Sequence, residues 1–131
     1  MDTREKREAL VTDWTKVPVE QVSAGIKRQM VVGEKVMVCR FTFDPFVVTP
    51  VHSHPHEQIT MVIAGKVKFT VDGLAVIAAP GDVLHFPPNN SHGATMLDEE
   101  VVLIDIFSPI REDFLSVPIE VEPEVSTNGK G

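Results

Sequence analysis

A chain of 131 residues, 43% hydrophobic and 24% charged, has room for one buried core and the composition of a globular protein, not a disordered or fibrous one. Its formal charge of -7, with no stripe of Lys and Arg, argues against nucleic acid, which is bound by replacing phosphate counterions with clustered cations. The single cysteine, Cys39, cannot form an internal disulfide and sits in an apolar stretch, where it reads as a small core residue. The start MDTREKREAL has no signal-like apolar segment and no run approaches bilayer length, so the expectation is a cytoplasmic protein with no membrane partner.

Residues 1–24 begin charged and then become mixed, with one short helical turn before Trp14; they are expected to form an arm. Residues 25–116 form the expected domain, in which short β-rich runs alternate with Gly, Pro, Asn and Asp: VMVCRFTF, QITMVIAG, KVKFTV, LAVIAA, DVLHFP and VVLIDIF. This spacing predicts an all-β sandwich or barrel. Asp72-Gly73, between KVKFTV and LAVIAA, is a strong two-residue hairpin signal, and Pro80-Gly81-Asp82 punctuates the next connection. REDFL is expected to form one helical turn, and residues 117–131, rich in Pro, Glu and small polar residues, are expected to be a partly disordered tail.

The chemistry concentrates in histidine. Of the five in the chain, His52, His54 and His56 fall within HSHPHEQ. In a strand, residues two apart share a face, so His52 and His54 should present two imidazoles side by side, half of a metal site. Pro55 breaks that parity and leaves His56, Glu57 and Gln58 as candidates for the third ligand. His92 ends the turn-rich run FPPNNSH, whose loop can bring it back to the first two. His85, alone in VLHF, reads as a packed, hydrogen-bonded residue.

HSHPHEQITMVIAG resembles the first motif of the cupins, H-x-H-x3-(E or Q)-x6-G, ending at Gly65, and PGDVLHFPPNNSH resembles the second, whose last His is the remaining ligand. Asn89 stands where many cupins carry Gly, and Asn enters left-handed backbone more readily than most residues. The resemblance implies a cupin double sheet or jelly-roll barrel of six to eight antiparallel strands, commonly dimeric. It also implies one divalent metal ion (Zn, Ni, Fe or Mn) in the barrel's open mouth, held by His52, His54, Gln58 and His92. Three imidazoles and an amide are neutral donors, so the ion would keep its charge and attract an anionic oxygen ligand.

A second constellation lies in DIFSPIREDFL. Asp105 interrupts the apolar run VVLIDIF, where a carboxylate is costly without a partner such as Arg28, Arg40 or Arg111. The segment resembles the end of the KdgF-type cupins of pectin and alginate degradation, in which an Asp, a Phe two positions on and an Arg four beyond line the pocket beside the metal; Asp105, Phe107 and Arg111 match that spacing. That resemblance implies linearisation of a 4,5-unsaturated uronate monosaccharide, an anionic sugar, to a keto-deoxyuronate. Asp105 would move protons, Phe107 would wall the ring, and the metal or the Arg111 fork would take the carboxylate. The alternatives are a metal-dependent cupin dioxygenase and a non-enzymatic sugar- or metabolite-binding cupin. A sulfur-compound lyase, which looks to tyrosine for its base, fits poorly with a chain that has no tyrosine.

Overall fold

The computed structural model describes residues 8–115; the expected disordered tail lies outside the described residues. Among the described residues ten strands form two antiparallel sheets. One has six strands in the order β1 (Glu20–Ser23), β2 (Ile26–Val32), β3 (Met37–Phe43), β10 (Val101–Ser108), β5 (Glu57–Ala64) and β8 (Val83–Phe86). The other has four, β4 (Val48–His52), β9 (His92–Met96), β6 (Val67–Val71) and β7 (Leu74–Ala78). The described strands number two more than the upper expectation of eight. The β1 strand, EQVS, is exposed along its whole length, β4 carries Pro50, and β9 is HGATM; none has the clean alternation of β-branched and polar residues that marks a strand in sequence.

Where one face of a strand is buried, alternation is visible. β3 reads buried–intermediate throughout, with Met37, Cys39, Phe41 and Phe43 turned inward. These meet Val62, Phe69, Phe86, Met96, Val101, Leu103 and Phe107 from the other strands in a single core between the sheets. The Asp72-Gly73 hairpin closes as expected: Val71 pairs with Leu74, and both loop residues have positive φ, 49° and 85°, which matches the twist of the flanking strands. Gly65 has φ 76°, and a Cβ there would collide with the backbone carbonyl of Glu100, so the motif glycine marks a close crossing of chains.

The helical turn expected before Trp14 is displaced: a 3-10 turn begins at Trp14 and runs to Lys16, capped by Asp13, which accepts from the Thr15 amide at 2.9 Å. The segment is tied to β2 through Gln29, whose amide donates to the Trp14 and Val17 carbonyls at 2.6 and 2.9 Å. The turn expected in REDFL is α1 (Glu112–Leu115).

Candidate functional site

His52 and His92 are register partners at the ends of β4 and β9, with ring centroids 4.8 Å apart. The parity argument for His54 is corrected: β4 ends at His52, and His54 lies in the loop before β5, so the two do not share a strand face. What brings His54 inward is the loop's own anchoring, in which the Asn89 amide donates to the His54 carbonyl at 2.7 Å. Asn89 reaches it from a left-handed conformation, φ 65°, the one this position requires. The ligating atoms of His52, His54 and His92 all lie within 4.8 Å of one another.

The rings are oriented as ligands. His52 Nδ1 lies 2.9 Å from the Pro50 carbonyl and His92 Nδ1 lies 3.0 Å from the Asn90 carbonyl. Each Nδ1–H therefore donates to backbone, which leaves the Nε2 lone pair for an ion. His54 Nδ1 is buried with no hydrogen-bond partner among the described residues. Its Nε2 lies 3.0 Å from Gln58 Oε1, and two donors about 2.1 Å from one ion at right angles also stand about 3 Å apart. The four donors thus fit a divalent ion. Burial, reinforced by the neighbouring His52, depresses His92 to about 4; burial and Arg111 also lower His54. Neutral imidazoles need release no proton to bind a metal at neutral pH.

His56 and His85 separate from this group. His56 lies near His54, with ring centroids 5.5 Å apart and the planes tilted by 54°, but outside the three-histidine cluster. His85 is hydrogen-bonded as expected but exposed: its Nε2 meets Glu57 Oε2 at 2.6 Å on the outer face of β8 and β5.

A hydrogen-bonded chain runs from the cluster to Asp105. Gln58 Nε2 donates to Thr60 Oγ1 at 2.9 Å, and Thr60 donates to Asp105 Oδ1 at 2.7 Å. Register explains the last contact, since Asp105 and Thr60 are direct partners across β10 and β5, both facing inward. Burial raises Asp105 to about 6 against the opposing pull of Thr60 and Arg111. Among the described residues no arginine forms an ion pair with Asp105; its hydrogen bond is to Thr60, and Arg111 acts on it through charge without direct contact.

Arg111 holds a different partner from the one expected. Its Nε and Nη2 grip Asp113 at 3.0 and 2.8 Å, so the fork expected to take a substrate carboxylate is already filled. Its guanidinium lies 5.0 Å from the Phe107 ring centre and 4.2 Å from that of Phe114. A cavity of about 220 Å³ is lined by His52, Gln58, His92, Asp105, Phe107 and Arg111. Arg28, Thr60 and Phe114 also line it. Sequence reasoning did not place these three in the site. The available signal was parity for Arg28 and Thr60, which share inward faces with Met30 and Gln58; nothing comparable marked Phe114.

The comparisons agree with this architecture. The family model described as a cupin domain matches residues 39–107. The pectin degradation protein KdgF of Dickeya dadantii is 39% identical over 101 residues, 75% of this chain and 91% of that protein. The solved structure of KdgF from Halomonas sp. superposes with a TM-score of 0.78 at 28% identity, over 82% of this chain and 99% of that one. An RmlC-like cupin from Shewanella frigidimarina gives 0.76 at 33% identity, over 82% and 96%. With matching motifs, matching sheets and a three-histidine cluster where the family model lies, this chain belongs to the cupin family, and within it resembles the KdgF-type proteins.

Proposed function

We propose that the protein acts in pectin breakdown, opening the ring of 4,5-unsaturated uronate monosaccharides to give keto-deoxyuronates, with a divalent ion held by His52, His54, Gln58 and His92. The observation that carries this reading is Asp105: a buried carboxyl raised to about 6, joined through Thr60 and Gln58 to the imidazole cluster. A group that titrates near neutrality can both take and return a proton, which this isomerisation requires. The cavity of about 220 Å³ has room for a monosaccharide, and the relatives' names connect the fold to pectin degradation.

The reaction adds and removes no atoms. Asp105, as carboxylate, takes the proton of the anomeric hydroxyl; the C1–ring oxygen bond breaks as C1 becomes an aldehyde, and the ring oxygen is left as the enolate oxygen on C5. The protonated Asp105 then gives its proton to C4, which becomes a methylene as the enolate becomes the C5 ketone. When bound, the ion supplies Lewis acidity that draws charge from the sugar oxygens. Phe107 walls the ring, and Arg111, locked by Asp113, contributes positive charge beside Asp105 and steadies its ionised form. Because the whole chain carries -7, capture of an anionic sugar depends on these local cations.

The test is loss of the conjugated double bond's ultraviolet absorbance when metal-loaded protein meets 4,5-unsaturated galacturonate. Acceleration over the spontaneous rate that disappears with chelator is expected. A rate equal to the spontaneous one with every metal tried refutes the proposal, and oxygen uptake tied to an organic substrate would replace it with the dioxygenase reading.

A further inference from the structure

We propose that Arg28 supplies the guanidinium fork that binds the substrate's carboxylate and so makes the pocket select acids over neutral sugars. This inference rests on the uronate reading above and deepens it.

Arg28 faces inward from β2, in the same register row as Phe41 of β3 and Leu103 of β10, and its side chain is 11% exposed. Only its Nε is engaged, at 3.1 Å from Glu20 Oε1 on the adjacent edge strand. Among the described residues no acceptor meets Nη1 or Nη2, so the end of the guanidinium is left as a pair of parallel donors. Such a pair matches a carboxylate in geometry as well as charge. Its plane is held by Phe114, whose ring centre lies 4.5 Å from Arg28 Cζ. Arg111, by contrast, spends Nε and Nη2 on Asp113.

Placement favours Arg28 a second time. Arg111 is the cation whose charge bears on Asp105 and helps keep it ionised. A substrate carboxylate on Arg111 would crowd a second negative charge against Asp105 and weaken that help. Arg28 lines the same cavity one inward position, two residues, from the Met30–Cys39–Asp105 row, so a uronate anchored there points its ring toward Asp105 and the imidazoles.

The experiment compares 4,5-unsaturated galacturonate with its methyl ester on metal-loaded wild type, Arg28→Lys and Glu20→Gln. Lysine keeps the charge and loses the fork. The expected result is a KM for the acid raised about tenfold in Arg28→Lys with kcat within about threefold. Wild type should favour acid over ester by about tenfold or more, and Arg28→Lys by less than about twofold. Glu20→Gln, which breaks the ion pair but leaves the fork, should stay within about threefold of wild type. An unchanged acid-over-ester preference in Arg28→Lys overturns the proposal, as does an equal KM rise in Glu20→Gln, which would make Arg28 a brace for β1. Matching urea midpoints confirm that each variant folds. If wild type does not turn over the acid at all, the linearisation reading has failed, and titration of galacturonate against galactose decides Arg28 separately. An acid preference lost in Arg28→Lys supports the fork, and an absent or unchanged preference overturns it.

Discussion

Replacing Asp105 by Asn should stabilise the metal-free protein, and by an amount that depends on pH. Asp105 is 7% exposed, and burial lifts its carboxyl from 3.8 to about 6. Because the folded value lies above the unfolded one, the native state holds the proton more tightly. The associated stability is complete below about pH 4 and is lost as pH rises through 6. Above that, the fold carries a buried charge at a cost of about 3 kcal/mol, taking about 1.4 kcal/mol per pKa unit. Asn is neutral throughout and its carbonyl can still accept from Thr60. Urea unfolding in chelator should therefore show Asp105→Asn more stable than wild type by up to about 3 kcal/mol at pH 8, roughly 10 °C in Tm, and level with it near pH 4. No gain at pH 8, or an equal gain at both pH values, would refute the buried-charge account. A stability gain joined to loss of turnover is the pattern expected of a residue kept for function.

Other perturbations probe separate parts of the molecule. His92 titrates in the opposite sense: its folded value of about 4 lies below the unfolded 6.5, so metal-free protein should lose about 3 kcal/mol as pH falls from 6.5 to 4, a slope that His92→Gln flattens in urea titrations. A saturating divalent ion at about 100 times its Kd should raise the unfolding free energy by about 2.7 kcal/mol, reversed by chelator, and His52→Ala should abolish that shift in calorimetry. Gly65→Ala forces a methyl against the Glu100 carbonyl from a positive φ and should cost about 3 kcal/mol or more in urea unfolding. Cys39 is fully buried and its thiol is pushed up to about 12, so a thiol-specific reagent should label the native protein only at the rate of unfolding.

The sequence showed most where one residue type had one physical reason to be present. Strand alternation in VMVCRFTF and the Asp72-Gly73 turn are written in short-range pattern, and His52, His54 and His92 stood out as metal-ligating residue types, which the structure brings together. Local parity failed where the chain left the strand: His54 points inward because a loop bond to Asn89 holds it, and no spacing rule contains that contact. The exposed edge strand Glu20–Ser23 escaped notice because, with neither face buried, nothing imposes a hydrophobic period on it. The ion pair Arg111–Asp113 lay two residues apart in plain view, yet which donors of Arg111 it would occupy is a matter of side-chain geometry. Arg28 and Phe114 meet only because residues 86 apart in sequence line one cavity.

The central claim, one ion in one neutral-donor site driving ring opening, is tested most directly by adding metal in steps to chelator-treated protein and following bound metal and the rate on 4,5-unsaturated galacturonate together. The account predicts a rate that rises in proportion to bound metal and stops at one equivalent, with Gln58→Ala weakening the binding. A rate that ignores bound metal, or that persists when His52, His54 and His92 are all replaced, would contradict it.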